Sequence, residues 1–308
     1  MNRVVLACDV NPSYAFTIPI ACLAWSVRGY RPLLLLVGEP SEWLDVRHLR
    51  LAVHRAREVG AEIYWLGNFS GSRSSTAAQC SRIFAASAPG IADDDFLTTS
   101  DVDMLPVGPW VGGGVDEKKA LHLWYSNAYA GSSYVHFPMC FVGAKAKVWR
   151  EIAGCLAHGE RAGGFRPIAL VEALEECLQS APQDNDGAWN HDERWLGNRI
   201  EKWALTSERL SIQEIPRTFV EGEWRIDRST WMDDVGGMLG TLAGVADAHL
   251  PRPCFMADWD AAAPNRWSSV RPLFELLFSG EHMKWVDDYR AEWLGTTCRV
   301  YPPVVAAP

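Results

Sequence analysis

Arg31-Pro32-Leu33-Leu34-Leu35-Leu36-Val37-Gly38-Glu39-Pro40 decides the fold. Five consecutive apolar residues lie between Arg-Pro and Gly-Glu-Pro turn signals. That is the length of one strand, and an unbroken apolar run is apolar on both faces, the mark of a strand inside a parallel sheet. Arg3-Val4-Val5-Leu6-Ala7-Cys8 and residues 61–66 read the same way. Helical patterns over 14–27 and 48–59, the latter stopped by Gly60, fall between these runs. Strand alternating with helix predicts an α/β fold with a mostly parallel central sheet flanked by helices.

Further along, 76–86 reads as a helix with Ser75 as its N-cap. A fourth strand, Phe96-Leu97-Thr98-Thr99, runs into Ser100-Asp101-Val102-Asp103-Met104-Leu105-Pro106. Strands are expected over 120–124 and 139–143, and helices over 145–156, 168–178 and 190–203. Asn190 and Glu193 form a capping-box-like pair at the start of the last. From about residue 220 Gly, Asp and Trp become frequent, which predicts a long irregular region through 268. Two closing helices are expected over 269–279 and 283–294.

Bulk properties narrow the function. A net charge of −9 argues against a nucleic-acid partner. The eight cysteines include no Cys-x-x-Cys pair, which disfavours zinc ribbons and thioredoxin-type sites. Those at 8, 80 and 140 lie in apolar segments and read as small buried hydrophobes. The 15 Trp residues should be mostly core, although indole faces also suit sugar rings. No signal peptide opens the chain, and the run at 32–38 is too short to span a bilayer. A cytoplasmic location with no membrane span is the expectation.

Asp101 and Asp103, two residues apart at a strand end, carry the chemistry. Carboxylates are hard ligands suited to Mg²⁺ or Mn²⁺, ions that also take substrate phosphates. The competing reading is ordinary turn chemistry. Asp93, Asp94 and Asp95 precede the same strand at its other end and read as a solvated turn.

Several features in order resemble the GT-A glycosyltransferases: the parallel α/β first half, the strand into Asp-x-Asp, Pro138-Met139-Cys140-Phe141-Val142-Gly143, a Trp-x-x-Asp-Glu helix and a late His. The opening Asp9-Val10-Asn11-Pro12-Ser13-Tyr14 through Trp25, with Gln79-x-x-Arg82 ahead of Asp101, is similar to the glycosyltransferases of large DNA viruses such as the chloroviruses. The resemblance covers roughly residues 3–255. It implies a Rossmann-like GT-A domain over 1–308: a nucleotide-binding half (1–110), a donor-sugar and acceptor half (111–255) and closing helices (256–308). It also implies a nucleotide-sugar donor, a UDP-sugar by preference, a glycan or glycoprotein acceptor, and host cytoplasm or virion as the location if the source is viral.

By the same resemblance Asp103 binds the metal, Asp101 contacts metal or ribose, and His249 completes a Mn²⁺ or Mg²⁺ site, with Asp247 as its rival. Arg82, one turn beyond Gln79, is expected to reach the Asp-x-Asp or the diphosphate. Asp9, Asn11 and Tyr14 follow the first strand, where open α/β sheets bind ligands, and suit the base and ribose. Ser72, Arg73, Ser74 and Ser75 precede a helix N-terminus, a ready anion site. Asp192 is the candidate general base or donor-sugar contact, Glu193 being assigned to the cap. Residues 124–129 could line a sugar pocket, and aromatics over 221–231 are weaker acceptor candidates.

Other classes compete. A nucleotidyltransferase acting on sugar phosphates also uses paired carboxylates, but would show a Gly-rich loop with Lys near the first strand. A haloacid-dehalogenase-type phosphatase needs its Asp pair after the first strand. A non-catalytic sugar- or nucleotide-binding module needs neither metal nor turnover.

Overall fold

The computed structural model describes residues 1–69, 73–108, 116, 118–155, 170–181, 190–206, 211–215, 224–228, 231, 245–255 and 266–297. Its strands are β1 (Asn2–Cys8), β2 (Arg31–Val37), β3 (Glu62–Gly67), β4 (Phe96–Thr99), β5 (Met104–Pro106), β6 (Leu121–Trp124), β7 (Val142–Lys145), β8 (Ile212–Ile215), β9 (Trp224–Ile226) and β10 (Val245–His249). Its α-helices are α1 (Pro12–Ala15), α2 (Ile18–Ser26), α3 (Pro40–Leu44), α4 (Arg47–Glu58), α5 (Ser74–Ser81), α6 (Ala146–Ala153), α7 (Leu170–Gln179), α8 (His191–Thr206), α9 (Arg266–Leu277) and α10 (Gly280–Thr297).

The molecule is mixed α/β, with a seven-stranded, mostly parallel central sheet ordered β3-β2-β1-β4-β7-β6-β8. Only β7 runs against its neighbours in that sheet. The apolar runs explain both faces. Val4, Leu6, Leu34 and Leu36 point to one hydrophobic cluster, while Val5, Leu33, Leu35 and Val37 point to the other. That is the period-two alternation of a pleated strand whose two faces are both buried. Helices α2 and α4 cover the first face together with α9 and α10, whose Tyr289 and Trp293 pack on Phe16 at 5.1 and 5.3 Å between ring centroids. Helices α5 to α8 cover the second face.

Several expectations change. The helix expected over 14–27 is two helices, because Pro19 lacks an N–H and restarts the helix at Ile18. Ser75 is not an N-cap, since α5 begins one residue earlier and Arg73 holds the cap position. Residues 82–87 form a 3₁₀ turn. The strand expected at 139–143 starts at Val142, because Phe141 sits at φ 69°. Asp95 is not solvated: it is buried, and its carboxylate accepts from Arg3 Nε at 2.9 Å and pairs with the N-terminal amine at 3.0 Å. The stretch 220–268 is not wholly irregular. It supplies β9 and β10, which join β5 in a small second sheet ordered β5-β10-β9. Ser72, Cys298 and much of 221–231 lie outside the described residues.

Helix α8 is seated by Gly197, where an added Cβ would meet the Val135 carbonyl oxygen at 2.3 Å. Both sides of that contact are backbone, so neither can swing away. Gly197→Ala is expected to destabilise the fold by about 1–3 kcal/mol, the usual cost of overpacking. Urea unfolding at unchanged m-value would read it.

Candidate active site

β1 and β4 are adjacent and parallel, so the loops that follow them emerge at one edge of the sheet. The first carries Asp9, Asn11 and Tyr14; the second carries Asp101 and Asp103. This is the edge at which open α/β sheets bind ligands. A cleft of about 560 Å³ lies there. Gln79, Arg82, Asp192 and His249 line it too, so these nine residues meet in one cavity, whereas Asp247 does not line it.

Local structure fixes each of them. Asn11 Oδ1 accepts from Ser13 N at 3.0 Å, capping α1, and Asp9 Oδ2 accepts from Ser74 Oγ at 2.8 Å. The Tyr14 ring carries the Arg252 guanidinium 4.0 Å from its centroid, so one ring face is covered. The Gln79 carbonyl accepts from Arg82 Nε at 3.2 Å. Arg82 is buried and bridges two carboxylates, donating to Asp101 and, at 2.9 Å, to Asp192 Oδ2. Burial pushes Asp101 up, but Arg82 and then His249 outweigh it and leave the carboxyl below its ordinary range. Burial dominates at Asp192, whose carboxyl is raised despite Arg82.

Asp103 and His249 lie 146 positions apart and are joined by backbone. β10 pairs antiparallel with β5, His249 opposite Met104, and the Leu250 amide donates to the Asp103 carbonyl at 2.8 Å. His249 Nε2 then stands 3.2 Å from Asp103 Oδ2, and its Nδ1 stands 3.6 Å from Asp227. Burial works against a charged His249, but the bonds to Asp103 and Asp227 prevail and raise it to about 9. His249 thus ends a strand rather than lying in an irregular segment. Asp247, its rival, is fully buried and held by the Tyr125 hydroxyl and by Arg225 Nε at 2.5 Å, so its oxygens are already taken.

Of the three expected metal ligands, Asp103 and His249 form a pair that would suit a hard divalent cation, whereas Asp101 is turned to Arg82 and does not join them in a three-ligand cluster. Two ligand atoms bonded at about 2.1 Å and at right angles stand about 3.0 Å apart, close to the Asp103–His249 spacing. A carboxylate behind the imidazole, here Asp227, is the usual support for a metal-binding histidine. Asp103 Oδ2 also faces Arg252 Nε at 3.1 Å and Arg228 Nη1 at 3.6 Å, so cationic groups already gather at this oxygen.

Glu193 is the residue that sequence reasoning misplaced. Its carboxylate turns into the cleft rather than back to Asn190. Oε1 accepts from the Tyr129 hydroxyl at 3.0 Å and from the Met139 amide at 3.3 Å. Oε2 is buried and, among the described residues, has no hydrogen-bond partner. Burial first, then the charge of Asp192, pushes Glu193 up to about 8. Arg225, Asp227 and Arg228 also line the cleft, in a stretch where the sequence points only to aromatics. Tyr125, directly after β6, and Phe141, directly before β7, have φ of 58° and 69°. Bulky residues in that region are strained outliers that cluster at functional sites, and no sequence signal marks them.

No protein-family model matches the chain, and no curated protein matches it in sequence. Solved structures do. The chain is similar to the glycosyltransferase GlyE of Streptococcus pneumoniae TIGR4, with a TM-score of 0.44 and 14% identity, over 96% of this chain. It spans 65% of the length of GlyE. It is also similar to the galactosyltransferase LgtC in complex with donor and acceptor sugar analogs, with a TM-score of 0.44 and 13% identity, over 93% of this chain and 100% of that one.

Proposed function

We propose that the chain is a metal-dependent glycosyltransferase that moves a sugar from a nucleotide-sugar donor, a UDP-sugar by preference, to a hydroxyl of a glycan acceptor. The observation that supports this is one cleft holding three things. These are a carboxylate–imidazole pair spaced for a hard cation, arginines beside it, and a buried carboxyl with an unshared oxygen.

The loop with Asp9, Asn11 and Tyr14 receives base and ribose. Arg228 and Arg252 offer positive charge to the diphosphate, and Arg82 holds Asp101 and Asp192 in place. A divalent cation held by Asp103 and His249 would supply the charge that stabilises the departing nucleoside diphosphate, while the Asp101 carboxylate is turned to Arg82. Proton acceptance is assigned to Glu193 rather than Asp192: Asp192 Oδ2 is committed to the Arg82 cation, whereas Glu193 borders the cleft and its Oε1 is held only by the neutral Tyr129 hydroxyl and Met139 amide.

Thermal unfolding with UDP-, GDP- and dTDP-sugars, each with and without Mn²⁺, tests this reading. A donor at about 100 times its dissociation constant stabilises by ~2.7 kcal/mol. The expected result is a shift that needs both sugar nucleotide and Mn²⁺ and disappears in Asp103→Asn with the fold retained. Undiminished Mn²⁺-dependent turnover by that variant sinks the metal assignment. Donor binding with neither transfer nor hydrolysis would mark a sugar-nucleotide-binding module instead.

A further inference from the structure

Behind the wall that carries Arg82 and Asp192, three buried side chains meet that sugar transfer does not use. Cys80 lies on α5, Cys177 on α7, and His191 opens α8. Their ligand atoms all fall within 4.8 Å of one another. Cys177 Sγ is 3.7 Å from His191 Nε2, and Ser180 Oγ is 3.4 Å from the same nitrogen. A tetrahedral zinc, with Zn–S of about 2.3 Å and Zn–N and Zn–O of about 2.1 Å, sets sulfur and nitrogen about 3.6 Å apart and nitrogen and oxygen about 3.4 Å apart. The observed spacings match those edges.

Both thiols are unbridged. His191 Nε2 also sits 3.0 Å from the Cys177 carbonyl, so the competing account is a helix-end hydrogen bond with two thiols packed beside it. That account explains the histidine but leaves unexplained why two cysteines from different helices converge on its ring. Thiolate and imidazole together suit zinc, whereas carboxylate and water suit Mg²⁺ or Mn²⁺. The cluster is therefore chemically separate from the Asp103–His249 pair.

We propose that Cys80, Cys177 and His191 bind one Zn²⁺, with the fourth corner facing the Ser180 hydroxyl. Zinc here joins three helices at the back of the cleft and holds the end of α5 and the start of α8, which deliver Arg82 and Asp192. His191 gives up its bond to the Cys177 carbonyl when it ligates. The proposal stands whether or not the cleft transfers sugar.

The test uses the full chain, freed of metal under reducing conditions and saturated with Mg²⁺ so that the cleft is not in competition. Co²⁺ alone is then added. One equivalent should produce near-ultraviolet thiolate-to-cobalt absorption and the intense visible bands of a tetrahedral ion, both displaced by Zn²⁺. The near-ultraviolet band should vanish in Cys177→Ser and persist in Cys22→Ala, a buried cysteine of another cluster. Should Cys177→Ser fail to fold, X-ray absorption of the zinc-loaded wild type decides, with two sulfur neighbours expected. Absence of uptake, uptake without thiolate absorption, or a zinc shell of only oxygen and nitrogen overturns the proposal.

Discussion

Glu193→Gln is expected to lower kcat by about 10²–10⁴-fold, the range that a positioned proton acceptor contributes. The substitution keeps the shape and an acceptor oxygen for the Tyr129 hydroxyl and the Met139 amide, so the fold and donor affinity should hold. Its distinguishing mark is the pH profile. A carboxyl raised to about 8 accepts a proton only once ionised, so wild-type kcat/KM should climb with pH and level off above that value. Burial sets this position first and the charge of Asp192 second, Asp101 adding to them and the Tyr129 hydroxyl and Met139 amide opposing, so the limb should disappear in Glu193→Gln and persist, shifted to lower pH, in Asp192→Asn. A variant that keeps wild-type turnover and the wild-type pH limb would return the proton to another group.

Arg82→Ala should be the most damaging single change to stability, at about 3–5 kcal/mol, because it strands buried carboxylates without their counter-charge. Asp192, at 3% side-chain exposure, cannot hydrate, whereas Asp101, at 35%, partly can. The sign of the pH dependence follows. Asp101 is depressed in the folded state, so its contribution is present above its unfolded value and fades as pH falls through the folded one. Asp192 is raised, so its ionisation already costs stability as pH rises. Removing Arg82 pushes both carboxyls upward, and protonation then relieves the burial. The loss should therefore be larger at pH 8.5 than at pH 5.5, read as the difference in unfolding temperature between variant and wild type. Arg82→Lys should recover little, because a point charge cannot serve two carboxylates as the guanidinium fork does. An equal loss at both pH values would assign the effect to packing alone.

The sheet was readable because its first strands are buried on both faces, and a run such as Leu33–Leu36 has no other stable place. The cleft was readable where chemistry and position coincide, as at Asp101 and Asp103 after a strand. What escaped depends on partners distant in sequence. Asp95 is buried because Arg3, 92 positions away, neutralises it. Asp247 lies inside the second sheet because Arg225 and Tyr125 surround it. Short strands such as β5 and β9, three residues each, carry too little pattern to be seen before their pairing is known. At Glu193 a valid local rule pointed the wrong way: an acidic residue in a first turn suits the helix dipole, yet tertiary contacts with Tyr129 and Met139 claimed its carboxylate.

The ladder between β5 and β10 has a consequence for how such a chain can change over generations. Two side chains separated by nearly half the polypeptide are held at a fixed spacing by main-chain pairing alone. Insertions or losses confined to the surface loops of the intervening segment can reshape the rim of the cleft while Asp103 and His249 stay where they are. Loop lengths can drift on a scaffold whose Asp103–His249 spacing does not.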